Sequence, residues 1–208
     1  MTTYVQLGLA YIEREDYERA RKHLGRALDL NPESVGAISA LGLVYQKEGE
    51  SKLADEHFRK SLEVDPNFTR GRTYYGAYLY AEKKYQEAFE QFKLASANTA
   101  YESRSQIFTN MALCSIQLKD NASAIKSYEK SIRLNRDQPN VVLSLVGLFQ
   151  EEGDFDKAQS YFNHYLAMVV IMVSVKLKVK RIYISLHWLL EVVILSITHI
   201  YWLLVSKG

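Results

Sequence analysis

The sequence predicts an all-α solenoid, a superhelix of about five stacked helical hairpins followed by an anomalous apolar C-terminal tail. Three observations lead there. Among the 208 residues only 3 are Pro and 10 are Gly, few for a chain of many β-turns, while good helix formers dominate. A pattern of small and large residues returns every 34 positions from Tyr4 onward, and a fixed period of that length marks stacked helix pairs rather than one globular core. The pattern stops near residue 167, and the composition then changes.

Charge follows the same division. The first 165 residues carry 21 basic and 23 acidic side chains, whereas residues 166–208 carry 5 and 1. The single cysteine and a hydrophobic content of 48% exclude a small disulfide scaffold and a disordered chain. Residues 1–167 are therefore read as the repeat array and 168–208 as a basic, then apolar, tail.

The units fall near 1–34, 35–68, 69–104, 105–138 and 139–167. In the first, Tyr4, Leu7, Gly8, Tyr11, Ala20, Leu24, Ala27 and Pro32 stand at the spacings of the tetratricopeptide (TPR) pattern. The second offers Ile38, Leu41, Gly42, Tyr45, Ala54, Phe58, Ser61 and Pro66, and the third Tyr75, Gly76, Leu79, Ala88, Phe92 and Ala95. A fourth follows after a two-residue insertion (Met111, Ala112, Ser115, Ala124, Tyr128, Ser131), and a fifth resumes the step with Leu145, Val146, Phe149, Ala158 and Phe162.

Chemistry justifies each element. Positions 8 and 20 of a unit are expected where the two helices of a hairpin approach most closely, which restricts them to Gly, Ala or Ser. Large residues at positions 7, 11 and 24 fill the remaining space. In Asn31-Pro32-Glu33-Ser34 and Asp65-Pro66-Asn67, Pro ends one helix and a polar residue is expected to cap the next. One hairpin cannot bury its own apolar face, so stability must come from stacking on neighbours.

In such an array the first helix of each hairpin lines a concave surface suited to an extended or helical peptide. Mapping that surface gives Gln6, Leu9 and Glu13 in the first unit and Ser39, Leu43, Gln46 and Lys47 in the second. The third contributes Arg70, Thr73, Tyr74, Ala77 and Tyr80. Gln106, Thr109, Asn110, Leu113 and Gln117 follow from the fourth, and Asn140, Ser144 and Gln150 from the fifth. The surface is amide-rich and weakly charged, with a tyrosine step, which fits a protein partner and not a nucleic acid, since no basic stripe emerges. Tyr74, Tyr75, Tyr78 and Tyr80 can be read either as groove residues or as packing between units. Val5, Leu9 and Ala40 stand where a Lys/Asn clamp for a C-terminal carboxylate would need polar residues.

No catalytic, metal or cofactor site is expected. His23, His57, His164, His187 and His199 are scattered without a ligand spacing. Cys114 has no evident activating partner in the sequence and reads as a buried apolar residue. The acidic runs at residues 13–16 and 151–154 fall at hairpin turns, where solvated charge belongs.

Four stretches go beyond the generic repeat. They are residues 4–11 (YVQLGLAY), residues 52–55 running into 58–62 (KLAD and FRKSL), residues 98–105 (NTAYESRS) and residues 131–139 (SIRLNRDQP). Over about residues 4–167 the chain resembles the TPR lipoproteins of type IV pilus biogenesis and stability, PilF or PilW. The NTAYESRS loop coincides with the two-residue insertion, as in that family. The resemblance implies a non-enzymatic, monomeric pilotin-like scaffold at the periplasmic side of the outer membrane. It would be lipid-anchored and would help the pilus secretin reach that membrane and assemble into its multimer.

Two features depart from the family. The first repeat is already under way at Tyr4, with no signal peptide or lipobox, and the tail replaces a further repeat. Residues 182–205 have the length of a membrane span, flanked by Lys176, Lys178, Lys180 and Arg181, but they include Glu191. A real span would hold the array on the cytoplasmic face of the inner membrane, as a generic TPR adaptor. The other expectation is an out-of-frame end with a clipped N-terminus, and an edge strand in the alternating Val-Lys stretch is a third.

Overall fold

The computed structural model describes residues 2–171 and 174. Among the described residues nine helices are bounded: α1 Thr2–Glu13, α2 Tyr17–Leu30, α3 Val35–Lys47, α4 Ser51–Val64, α5 Thr69–Ala81, α6 Tyr85–Ser96, α7 Arg104–Gln117, α8 Asn121–Leu134 and α9 Pro139–Glu151. Residues 155–171 are also helical, and no strand occurs among the described residues. The chain forms two compact units, residues 1–141 and the part from Val142 on, divided within α9. The expected span at 182–205, the basic flank at 176–181 and the edge-strand reading lie outside the described residues.

In the first unit each hairpin closes through one recurring turn. Glu15, Gly49, Lys83 and Lys119 have φ of 60°, 82°, 62° and 60°, and the next amide bonds five residues back, as in Asp16 N to Tyr11 O at 3.0 Å and Lys84 N to Leu79 O at 2.9 Å. This left-handed C-terminal stop uses up the orphan carbonyls of the first helix. The second helix then starts on a side-chain cap where the sequence supplies one. Asp16 accepts from Arg19 N at 3.1 Å and Asp120 from Ser123 N at 3.0 Å, whereas Lys84 and Glu50 make no such bond.

Between hairpins the capping differs from the sequence expectation. Ser34 is the N-cap of α3 but makes no side-chain cap bond. The polar work is done earlier, by Asn31 accepting from Glu33 N at 3.0 Å and Asp65 from Asn67 N at 2.8 Å. These local turns fix the chain around Pro32 and Pro66.

The glycines at position 8 make room for a partner other than the one expected. A Cβ on Gly8 would lie 2.5 Å from Leu24, one on Gly42 2.8 Å from Phe58 and one on Gly76 2.9 Å from Phe92. The close approach is therefore to the large residue at position 24, with Ala20, Ala54 and Ala88 fully buried alongside. Position 7 packs on the preceding hairpin. Tyr75 packs against Phe58 at a tilt, with ring centroids 5.8 Å apart, while Leu7, with no preceding hairpin among the described residues, is 38% exposed. The expectation that Leu7 fills the core is corrected accordingly. In the second unit, Phe162 is exposed as well, and Phe149 stacks on Tyr161 instead, at 5.4 Å.

Buried polar groups repeat with the same period. Ser61 Oγ donates to Val35 O at 3.2 Å, and Ser131 Oγ to Ser105 O at 2.9 Å. Serine is tolerated at these fully buried sites because each hydroxyl finds a carbonyl across its own hairpin.

Candidate functional site

The first helices stand side by side in the first unit, α1 on α3, α3 on α5 and α5 on α7. That arrangement brings the expected groove residues onto neighbouring helices. Gln6, Glu13, Lys47, Arg70, Ala77, Gln106, Leu113 and Gln117 are exposed there, and Leu9, Leu43, Gln46, Tyr74, Tyr80 and Asn110 are half-buried. Asn140 is exposed at the start of α9; in the second unit Ser144 is half-buried and Gln150 exposed.

Ser39 does not belong to this surface. It is fully buried, and its hydroxyl donates to Gly36 O at 3.3 Å. The groove expectation for Ser39 is corrected: the side chain is covered by packing and its hydroxyl is satisfied by its own helix backbone, so it is not available for recognition. Two threonines are also occupied inside the array. Thr73 Oγ1 donates to Thr69 O at 2.9 Å, and Thr109 Oγ1 lies 2.8 Å from Ser131 Oγ on α8.

The tyrosine ladder divides. Tyr75 and Tyr78 are core, 4% and 2% exposed, and Tyr78 donates to Ser51 O at 2.8 Å. Tyr74 and Tyr80 keep an open face. Burial raises the pKa of Tyr74, opposed by the charge of Arg70 and aided by Tyr101 and Glu13. Nothing in the repeat pattern joins Tyr101 to this group, because the loop carrying it lies outside the regular period.

Tyr80, Ala77, Phe92, Asn110 and Leu113 wall a small depression of about 90 Å³ between α5 and α7. It has room for one small aliphatic side chain. Tyr80 makes an edge contact there with Tyr85 at 5.3 Å, and burial raises its pKa, opposed by Gln117. Gln106 Nε2 donates to Asn110 Oδ1 at 3.1 Å, which orients the amide on the rim. The groove thus offers an apolar hole edged by amides and a phenol.

Of the other sequence candidates, Cys114, His23 and His57 have packing roles, and His187 and His199 lie outside the described residues. Cys114 is fully buried, and burial pushes its thiol up to about 12, so it is not a thiolate nucleophile near neutrality. His23 stacks on Tyr11 with centroids 5.2 Å apart, and His57 leans on Tyr45 at 4.8 Å, one repeat apart. Among the described residues no group of His, Cys, Asp or Glu could hold a metal ion. Asp16 and Asp154 in the acidic runs serve as helix caps.

Hairpin stacking, small-residue spacing and a first-helix groove define a TPR repeat protein. Family models described as TPR repeat and tetratricopeptide repeat match residues 8–49, and 36–68 with 105–138. The chain is 42% identical over 160 residues to the type IV pilus assembly protein PilF of Pseudomonas aeruginosa, covering 77% of this chain and 64% of that relative's length. A solved structure of Pseudomonas aeruginosa PilF matches with a TM-score of 0.75 at 41% identity, over 80% of this chain and 75% of that one. The solved structure of PilW, a widely conserved type IV pilus biogenesis factor, shares the fold at 23% identity and a TM-score of 0.69, over 81% and 77% of the two chains. The chain belongs to the PilF/PilW-like TPR family. Among the described residues no helix is long and apolar enough to cross a membrane.

Proposed function

We propose that the protein is a non-enzymatic scaffold of type IV pilus biogenesis that grips a segment of a protein partner in its first-helix groove. The observation that carries this reading is the depression beside Tyr80, set among half-buried Tyr74, Leu43 and Asn110 in a chain of this family. Half-buried aromatics that keep one open face on a rigid helix lose little freedom on binding and supply contact area. The partner is the pilus secretin, and the task is its delivery to the outer membrane and its assembly into a multimer, performed by a monomer on the periplasmic side. The 42% identity to a type IV pilus assembly protein supports the pilus assignment, and the family's lipid anchor supports the location.

The test is a pull-down of the pilus secretin with the Tyr74→Ala/Tyr80→Ala double variant. Binding should fall about tenfold or more, with the helical circular dichroism retained. Undiminished capture by the double variant would remove the groove from the function.

A further inference from the structure

A second surface lies apart from the groove, on the side of α7 facing α6 and α8. Phe108 is two residues before Asn110, so it points about 200° around the helix from the groove rim. It forms the floor of a cleft of about 490 Å³ between α6 and α8, whose walls include Phe89, Lys93, Arg104, Lys126 and Lys130 and, among the described residues, no carboxylate. The cleft lies where the repeat is locally irregular. α6 has 12 residues where α2, α4 and α8 have 14, and the link after it, residues 97–103, is longer than the links at 31–34, 65–68 and 135–138.

Two of the cations there, Arg104 and Lys130, are held over an aromatic ring rather than in ion pairs. The Arg104 guanidinium lies 5.4 Å and the Lys130 ammonium 5.3 Å from the Phe108 centroid. Arg104 Nε also donates to Ser96 O at 2.9 Å, which fixes the guanidinium at the end of α6. Of the lining cations only Lys93 has an ion pair among the described residues, with Glu90 at 3.5 Å. Arg133 adds a further positive charge in the adjoining depression. Gathered like charges repel one another until an anion joins them.

We propose that this cleft docks an acidic segment of a protein partner, seating an apolar side chain against Phe89 and Phe108 and carboxylates on Arg104, Lys126 and Lys130. A peptide is favoured over a lipid surface by the shape of the site. Phe108 is 5% exposed at the bottom of a gap between two helices, where a projecting side chain can reach it, whereas a plane of headgroups would meet only the lysine tips. Carboxylates gain charge-assisted hydrogen bonds from both side-chain types. The proposal is independent of the groove.

The experiment measures the anisotropy of a fluorescein-labelled Asp-Glu-Phe-Glu-Asp peptide titrated with the full 208-residue chain. Saturable binding that weakens with salt is expected, reduced about tenfold or more by Lys126→Gln/Lys130→Gln. Both lysines are exposed, so the variant should keep its melting curve. A peptide with lysine in place of the acids should not bind. Absence of saturable binding, or equal affinity for the variant, would overturn the proposal. Retention on phosphatidylglycerol vesicles with no peptide binding would assign the cations to a lipid surface and overturn it equally.

Discussion

The hydroxyl of Tyr75 on α5 donates a 2.9 Å hydrogen bond to Asp55 Oδ1 on α4, tying the third hairpin to the second. The other oxygen of Asp55 accepts from Arg59 Nε at 2.6 Å, and that guanidinium lies over the Tyr75 ring at 5.7 Å. Stacking between hairpins is thus secured by a closed polar triangle on top of apolar contact.

This triangle should make the array sensitive to alkali. Burial, and then the bond to Asp55, raise the Tyr75 pKa above its ordinary value. Below pH about 10 both folded and unfolded chains keep the phenol proton. Above it the unfolded chain loses the proton more readily, so stability falls as pH rises. Tyr75→Phe should cost about 1–2 kcal/mol at neutral pH and flatten the loss above pH about 10. Thermal melts of both proteins between pH 7 and 11 decide it; equal slopes would detach Tyr75 from the effect.

Lys84→Asp should stabilise the protein. Lys84 is the N-cap of α6 with φ −84° and ψ 61°, near the backbone of the Asp120 cap, yet it makes no cap bond. Aspartate there should gain about 0.5–1 kcal/mol. A urea titration that shows no rise in midpoint would contradict the cap geometry.

Gly42→Leu should destabilise the second hairpin by about 1–3 kcal/mol through overpacking. Even a Cβ at that site would sit 2.8 Å from the ring of the fully buried Phe58. Calorimetry showing an unchanged melt would undermine the placement of the repeat.

Ala77→Leu should fill the depression beside Tyr80 from the exposed surface of α5. The fold should keep its stability to within about 0.5 kcal/mol, while secretin capture drops. Full capture by this variant would mean that the depression holds no partner side chain.

Much of the fold was legible because a 34-residue period repeats the same packing problem. Gly8, Gly42 and Gly76 announce close approach, and Pro32 and Pro66 announce the ends of helices. The groove was legible only as a helix face. Ser39 shows the limit, since spacing along α3 does not say how deeply a neighbouring hairpin covers a small side chain.

The sequence by itself determined the helical hairpins, their order and their spacing, because short-range sterics and capping act between residues near in the chain. Only the tertiary structure decided which residue each glycine faces, which tyrosines are core and which stay open, and that Lys126 and Lys130 of α8 stand with Arg104 around Phe108. Those outcomes depend on how deeply helices far apart in the chain cover one another, which short-range sterics and capping do not set.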